Sequence, residues 1–264
     1  MSAELNSPEP PIDPAKMTSK LSLELAMYPE ASVSGFSHID QEVGFFTQVA
    51  ALLRPHHRVL DFGAGRGEWY EDDPVRYRRE LQNFRGRCQH VDGCDIDDVV
   101  LQNPTVDKAA IFRPGEPLPY PDDAFDLIIS RYVFEHVTDP EWISRELRRI
   151  LKPGGWVCAV TPNKFGYVAL AARMVPNRLH AAMLRRIQPH RKEKDVFPTA
   201  YFLNTPRAVR RYFGPWGDVR YYRDSAVPSY HFGRPIVFRV LQVLHWFLPS
   251  FLGTGFFIFV RKRI

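Results

Sequence analysis

The run Asp61-Phe-Gly63-Ala-Gly65-Arg-Gly67 follows directly on a short apolar stretch, Arg58-Val-Leu-Asp-Phe62. Glycines at the end of a strand let the backbone approach a ligand with no Cβ in the way. The spacing narrows which ligand. A dinucleotide fingerprint reads GxGxxG, and its last position falls here on Glu68. No Gly-Lys-Ser/Thr follows, which excludes a P-loop. A phosphate would meet acids on either side of the turn, at Asp61 and Glu68, whereas a ligand carrying positive charge is tolerated there. A turn that binds nothing is the competing reading of this segment taken alone. Further on, Gly93-Cys-Asp95-Ile-Asp97 puts an acid at the end of a second apolar stretch. Such an acid can accept both hydroxyls of a ribose.

These residues need a parallel sheet to bring them together. Residues 41–163 alternate strand-like runs with helical periodicity, the pattern of βαβ units. Val43, Phe46, Val49, Ala50 and Leu53 predict a helix over 41–53. Arg58–Phe62, Cys88–Asp95, Phe125–Ser130 and Trp156–Thr161 read as strands, the third an unbroken apolar run of the kind buried on both faces. Asp139-Pro140 supplies a cap and first residue for a helix with the stripe Ile143, Leu147, Ile150 and Leu151, and Pro153-Gly154-Gly155 is expected to stop it.

A third set of segments joins the first two: Leu118-Pro-Tyr-Pro-Asp-Asp-Ala-Phe125-Asp126-Leu-Ile-Ile-Ser130, then Glu135-His136-Val137, then Glu146 through Leu151-Lys-Pro-Gly-Gly155. In this order and spacing the chain resembles the class I S-adenosylmethionine (SAM)-dependent methyltransferases, in particular the small-molecule, type 11-like group. The resemblance covers about residues 40–163. It implies a Rossmann-like α/β fold, with a mostly parallel seven-stranded sheet, helices on both faces and a C-terminal helical insertion, and it implies SAM as cofactor. Asp61, Gly63, Ala64 and Gly65 would line the methionine end of SAM. Asp95 would hold the ribose and Ile96 pack on the adenine. Many relatives place an Asp about four residues before the Leu-Pro; this chain has Pro114 there, which leaves the adenine to backbone or to Glu116. Ser130, Arg131 and Tyr132 would face the sulfonium and the substrate. His136 is the candidate general base, but a histidine that shapes the pocket and bonds to backbone is the favoured reading of this position. Methyl transfer from a sulfonium asks mainly for alignment and exclusion of water, so it demands no metal.

The remainder is less patterned. Residues 1–20 read as a flexible arm without a signal peptide, so a cytoplasmic location is expected. Residues 21–264 then form the methyltransferase domain, with 164–200 as a lid or substrate wall. Within it, Val168–Val175 and Leu179–Ile187 suggest two helices, and His190–Lys194 is a charge run of the solvated kind. Thr205-Pro206 starts a capped helix. Tyr221, Tyr222, Tyr230 and Phe232 are candidates for an acceptor wall, and His231 is a second candidate base. Val240–Val260 carries no charge but is broken by Pro249, Gly253 and Gly255, which favours a helix to about Phe247 and a strand at 255–260 over a membrane span. Phe247, Leu248, Phe251 and Leu252, read as close to Arg261–Arg263, make this segment a candidate for peripheral membrane contact. The net charge of +5 is modest and its cations are spread out, which argues against nucleic acid as a partner. The three cysteines, Cys88, Cys94 and Cys158, show no CxxC spacing and read as reduced thiols. The expected function is transfer of the SAM methyl group to a small or medium organic acceptor, with oxygen the preferred atom. The alternatives are C- or N-methylation of a quinone, lipid or natural-product scaffold, and a non-catalytic SAM-binding partner subunit.

Overall fold

The computed structural model describes residues 10–167, 169–170, 199–228 and 231–264. The two helices expected over 168–187, the charge run 190–194 and Tyr230 lie wholly or largely outside the described residues.

Seven strands form one sheet in the order β3-β2-β1-β4-β5-β7-β6. β1 is Arg58–Phe62, β2 His90–Asp95, β3 Lys108–Ile111, β4 Phe125–Arg131 and β5 Leu151–Pro162; these five run parallel. β6 (Gly217–Asp224) and β7 (Gly255–Lys262) close the sheet, with β7 antiparallel to both of its neighbours. The expected strand at 58–62 has the observed bounds, and the final strand forms as the apolar run near the C-terminus predicted.

Helices cover both faces. On one, α3 (Gln41–Leu52) and α5 (Arg76–Gln82), separated in the chain by the short α4 (Glu68–Asp72), pack with Phe45, Phe46, Val49 and Leu81 against Val59, Leu127 and Ile129. On the other, α6 (Pro140–Ile150) and α7 (Pro206–Phe213) press Ile143, Leu147 and Phe213 onto Leu60, Ile128 and Val157. Alternate residues of each strand therefore serve opposite layers, as the period of two requires. The caps are local. Asp40, Asp139 and Thr205 each accept a backbone N–H in the first turn of α3, α6 and α7.

Three expectations change. α6 ends at Ile150, and β5 starts at Leu151, so Pro153-Gly154-Gly155 does not stop the helix. It forms a bulge, because β4 pairs with Leu151 at Phe125 and then jumps to Trp156 at Leu127. The described part of the presumed arm is pinned: Ile12 bridges to Val75, the Asp13 amide donates to the Pro74 carbonyl and the Arg76 amide to the Pro11 carbonyl. Short helices α1 (Ser19–Met27) and α2 (Ala31–Ser34) follow. Finally, Phe247–Leu252 and Arg261–Arg263 sit at opposite ends of β7, roughly 20 Å apart at the usual rise of a strand. The basic residues there are held locally, Lys262 on Asp123 (2.7 Å) and Arg263 on Asp218 (3.0 Å). Among the described residues no helix is long and apolar enough to cross a membrane.

Candidate functional site

β1 and β4 are neighbours, yet the chain leaves β1 toward β2 and β3 and leaves β4 toward β5. That reversal opens a crevice at the carboxyl ends of the two central strands, where open α/β sheets bind their ligands. The Gly-rich turn follows β1 and the loop 132–137 follows β4. They touch, because a Cβ on Gly63 (φ +77°) would strike the Val133 side chain. The His136 amide donates to the Val133 carbonyl at 2.9 Å. The candidate base thus sits in the loop that flanks the turn.

The turn is held from beneath. The amides of Gly63 and Ala64 both donate to the Cys94 carbonyl, at 2.8 and 3.1 Å. The Gly65 amide donates to Asp95 Oδ2 at 2.9 Å, while Asp95 Oδ1 accepts from the Asp97 amide at 3.1 Å. Asn103, which sequence reasoning missed, completes the clamp. Its Nδ2 donates to the carbonyls of Ala64 (3.0 Å) and Gly65 (3.1 Å), and its Oδ1 accepts from the amide (2.9 Å) and hydroxyl (2.7 Å) of Thr105. No sequence signal pointed to it; its fit to the turn shows in the structure, where a Cβ on Gly67 would meet Asn103 Oδ1 at 2.5 Å.

Asp61 and Arg131 stand together on the α3/α5 side. With Trp69, Gln82 and Thr105 they line a small cavity. Desolvation, reinforced by the charge of Asp95, pushes the Asp61 carboxyl up to about 6 against the pull of Arg131. Arg131 donates to Gln82 Oε1 (2.6 Å), lies 3.6 Å from Glu42 and stacks over Trp69 (5.6 Å to the ring centroid). Ser130 points the other way along β4; it is fully buried, and among the described residues its hydroxyl has no hydrogen-bond partner. Tyr132 takes a left-handed φ of +56° at the exit of β4, and its hydroxyl reaches Glu42 at 3.2 Å. Ile96 is exposed beyond Asp95. Pro114 is exposed in the loop after β3. That loop is anchored by the Phe112 amide on the Asp95 carbonyl (3.0 Å) and by Trp142 Nε1 on the Glu116 carbonyl (3.1 Å).

The signature segments acquire structural roles. Glu146 accepts from the Leu118 amide at 2.8 Å and pairs with Arg149, which itself donates to the carbonyls of Leu118 and Tyr120. Burial raises the Glu146 carboxyl, but Arg149 and the Leu118 amide more than reverse it and hold it below the ordinary carboxylate range. Asp126 likewise clips the start of β1, through the Arg58 amide (2.8 Å), to Lys152 (2.8 Å).

His136 Nε2 lies 3.9 Å from Glu135 Oε1. Glu135 is buried, and its other oxygen accepts from Thr161 Oγ1 at 2.8 Å, which in turn accepts from Asn204 Nδ2 at 2.7 Å. His231 is placed elsewhere, buried against Phe238 with Nδ1 accepting from the Gly233 amide at 3.1 Å, and burial lowers its pKa. Tyr221 and Tyr222 are not an acceptor wall at β4: they lie on β6, two strands beyond β5, packed on Phe256 and Phe257.

The chain matches the methyltransferase-domain family over residues 37–213. This chain belongs to that family, the class I SAM-dependent methyltransferases. Over 117 residues it is 32% identical to YcgJ, an uncharacterized methyltransferase of Bacillus subtilis (strain 168), a match covering 44% of each protein. Over 120 residues it is 34% identical to the ubiquinone/menaquinone biosynthesis C-methyltransferase UbiE of Vibrio vulnificus (strain YJ016), covering 42% of this chain and 43% of that protein. The chain therefore spans less than half the length of these curated relatives. The crystal structure of the Bacillus YcgJ protein superposes with a TM-score of 0.50 at 20% identity, over 84% of this chain and 98% of that one, which shows the shared fold.

SAM is the cofactor this membership implies, and the residues of the methyltransferase crevice fit it. Gly65 adopts φ +50°, and a Cβ built there meets nothing within 4 Å, so the turn offers bare backbone to open space. Two carboxylates, one cation and an exposed Ile96 match the charged, ribosyl and purine parts of the cofactor.

Proposed function

We propose that this methyltransferase domain seats SAM across the carboxyl ends of β1 and β2 and moves its methyl group to an oxygen of a small or medium organic acceptor. The observation that carries the reading is Asp95. Each of its oxygens already accepts one backbone amide, from Gly65 or Asp97, and each keeps a second lone pair for a ribose hydroxyl. One carboxylate thus shapes the turn and receives the sugar. Asp61 meets the ammonium of the methionine moiety, and Arg131 beside it offers a cation to the carboxylate. Gly63, Ala64 and Gly65 supply backbone at close approach, Ile96 an apolar face, and the backbone at Pro114 the adenine edge. Bound SAM supplies a methyl group on a positively charged sulfur, ready for in-line displacement.

The protein's task is then to hold the acceptor in line, exclude water and take a proton from a hydroxyl. His136 is the base in this reading. Glu135, fixed by Thr161, stabilises the imidazolium that forms. A second reading, C-methylation of an electron-rich ring, draws on the UbiE relatives, whose name records a C-methyltransferase. The two separate in one assay. The wild type is incubated with SAM and a panel of phenols, hydroxy acids and quinols, S-adenosylhomocysteine is measured, and the methylated position is read by NMR. O-methyl product is expected, with the rate falling about 100-fold or more in His136→Asn while SAM affinity is kept. C-methyl product alone would move the assignment to the second reading. Equal rates in the variant would make His136 structural, and SAM binding with no turnover on any acceptor would favour a non-catalytic partner subunit.

A further inference from the structure

The helix α8 (Pro235–Phe247) packs with its less apolar side inward. Phe238 is buried, between Tyr28 directly after α1 (5.9 Å) and His231 (5.1 Å), and His245 Nε2 meets the Tyr167 hydroxyl at 2.6 Å. The side facing solvent carries Ile236, Val240, Val243 and Phe247, at i, i+4, i+7 and i+11, which is one helical face. Trp246 flanks it, and Phe251 of the following 3-10 turn extends it. Ile236, Trp246 and Phe247 are 80%, 83% and 76% exposed. A soluble helix normally turns such a stripe to the core, so this ridge is a contact surface that no described residue covers.

Charge tells what the contact is. From Ser225 to Ile264 the sequence contains no Asp or Glu. Arg234 sits at the start of α8 and Arg239 stands beside the stripe, both exposed. A second copy of the chain docking ridge to ridge would bring these arginines against a helix and following turn that themselves carry no acid. An anionic surface matches them, and large aromatic side chains beside a basic apolar helix are the composition that settles at a bilayer interface. The helix has 13 residues and is too short to cross.

We propose that the α8 ridge is a docking surface for an anionic lipid bilayer. Ile236, Val240, Val243, Phe247 and Phe251 enter the headgroup–acyl boundary, Trp246 sits at its edge, and Arg234 and Arg239 meet lipid phosphates. The surface lies at the carboxyl end of the sheet. Asn163, directly after β5, holds the turn beyond α8 through Nδ2 to the carbonyls of Phe251 (2.9 Å) and Gly253 (2.7 Å). Docking therefore sets the end of the sheet that bears the crevice toward the membrane. The proposal stands apart from the choice of methyl acceptor.

The test is cosedimentation of the full chain with vesicles of phosphatidylglycerol and phosphatidylcholine in equal parts, compared with phosphatidylcholine alone. Binding is expected on the anionic vesicles, weakened by salt. The double variant Val243→Glu, Phe247→Glu changes exposed residues only, and should lower the bound-to-free ratio at least about tenfold with an unchanged unfolding midpoint. Arg234→Gln with Arg239→Gln should lower it about tenfold on the anionic vesicles. The blue shift of tryptophan emission on vesicle addition should shrink in Trp246→Phe. No binding to anionic vesicles, or binding untouched by the Glu pair, would overturn the proposal. So would a wild-type dimer in sedimentation velocity that the Glu pair dissolves without any vesicle binding, which would assign the ridge to a second copy.

Discussion

Replacing Asn103 with Asp tests how the Gly-rich turn is held. The Asn103 side chain is nearly fully buried and makes four hydrogen bonds, two to the turn carbonyls and two from Thr105. Aspartate keeps the two acceptor contacts with Thr105 and turns a carboxylate oxygen toward the carbonyls of Ala64 and Gly65. Two lost bonds at about 1 kcal/mol each, with repulsion between desolvated oxygens added, give a cost of about 3 kcal/mol. The variant has a built-in check on sign. Burial among carbonyls raises the new carboxyl's pKa in the folded state, so the penalty is full at neutral pH and shrinks as pH falls through that raised value, where a proton restores one donor. Asn103→Ala, which abandons all four bonds, should cost about 3–4 kcal/mol and show no such pH dependence. The assay is urea unfolding at several pH values, paired with calorimetric titration of SAM at a temperature where each variant is folded. SAM affinity of the Asp variant should fall about tenfold, because the turn is no longer preset. A wild-type midpoint for Asn103→Asp, or a lowered midpoint with unchanged SAM affinity, would refute the reasoning.

Two further outcomes follow from the same crevice. Asp61, whose pKa is pushed up to about 6, binds a proton more tightly in the folded than in the unfolded chain. Its share of stability is therefore most favourable at low pH and is lost as pH rises from about 4 to about 6, so Asp61→Asn should flatten that part of the stability–pH curve without ligand. Identical curves would place the titration elsewhere. Gly63→Ala must force a Cβ into Val133 at φ +77° and should cost about 2 kcal/mol or more, part of which the double variant with Val133→Ala should recover. Strict additivity in denaturant midpoints would deny the contact.

Five of the seven strands were legible because their signals are local and redundant, whereas the edge strands β3 and β6 carry no such apolar run and went unread. β1 reads as an apolar run ended by glycine, and α3 as the stripe Val43, Phe46, Val49, Ala50 and Leu53; the Asp40 cap was found only in the structure. The Pro153-Gly154-Gly155 segment misled because the same residues that stop a helix also make a bulge; only the register of β4 against β5 separates the two. Asn103 was invisible for a different reason. Its work is done on two carbonyls some forty residues away, and an Asn in a polar loop announces nothing. Arg131 was legible as a residue at the end of β4. Its direction was not, because alternation along the strand fixes the face only once the neighbours of each face, Trp69 and Gln82 here, are known. The apolar stretch after Val240 was visible at once, but Arg261–Arg263 seemed adjacent to it in sequence and are a strand's length away in space. The cations that do border it, Arg234 and Arg239, stand on the helix itself.

The most direct measurement is calorimetric titration of SAM, and separately of NAD, into the wild type and Asp95→Ala. A SAM seat on the Gly-rich turn predicts that SAM binds and NAD does not. It predicts that the variant loses about 1–3 kcal/mol of SAM affinity, the usual worth of charge-assisted hydrogen bonds to a carboxylate. NAD binding without SAM binding, or SAM affinity unchanged by Asp95→Ala in a folded variant, would contradict it.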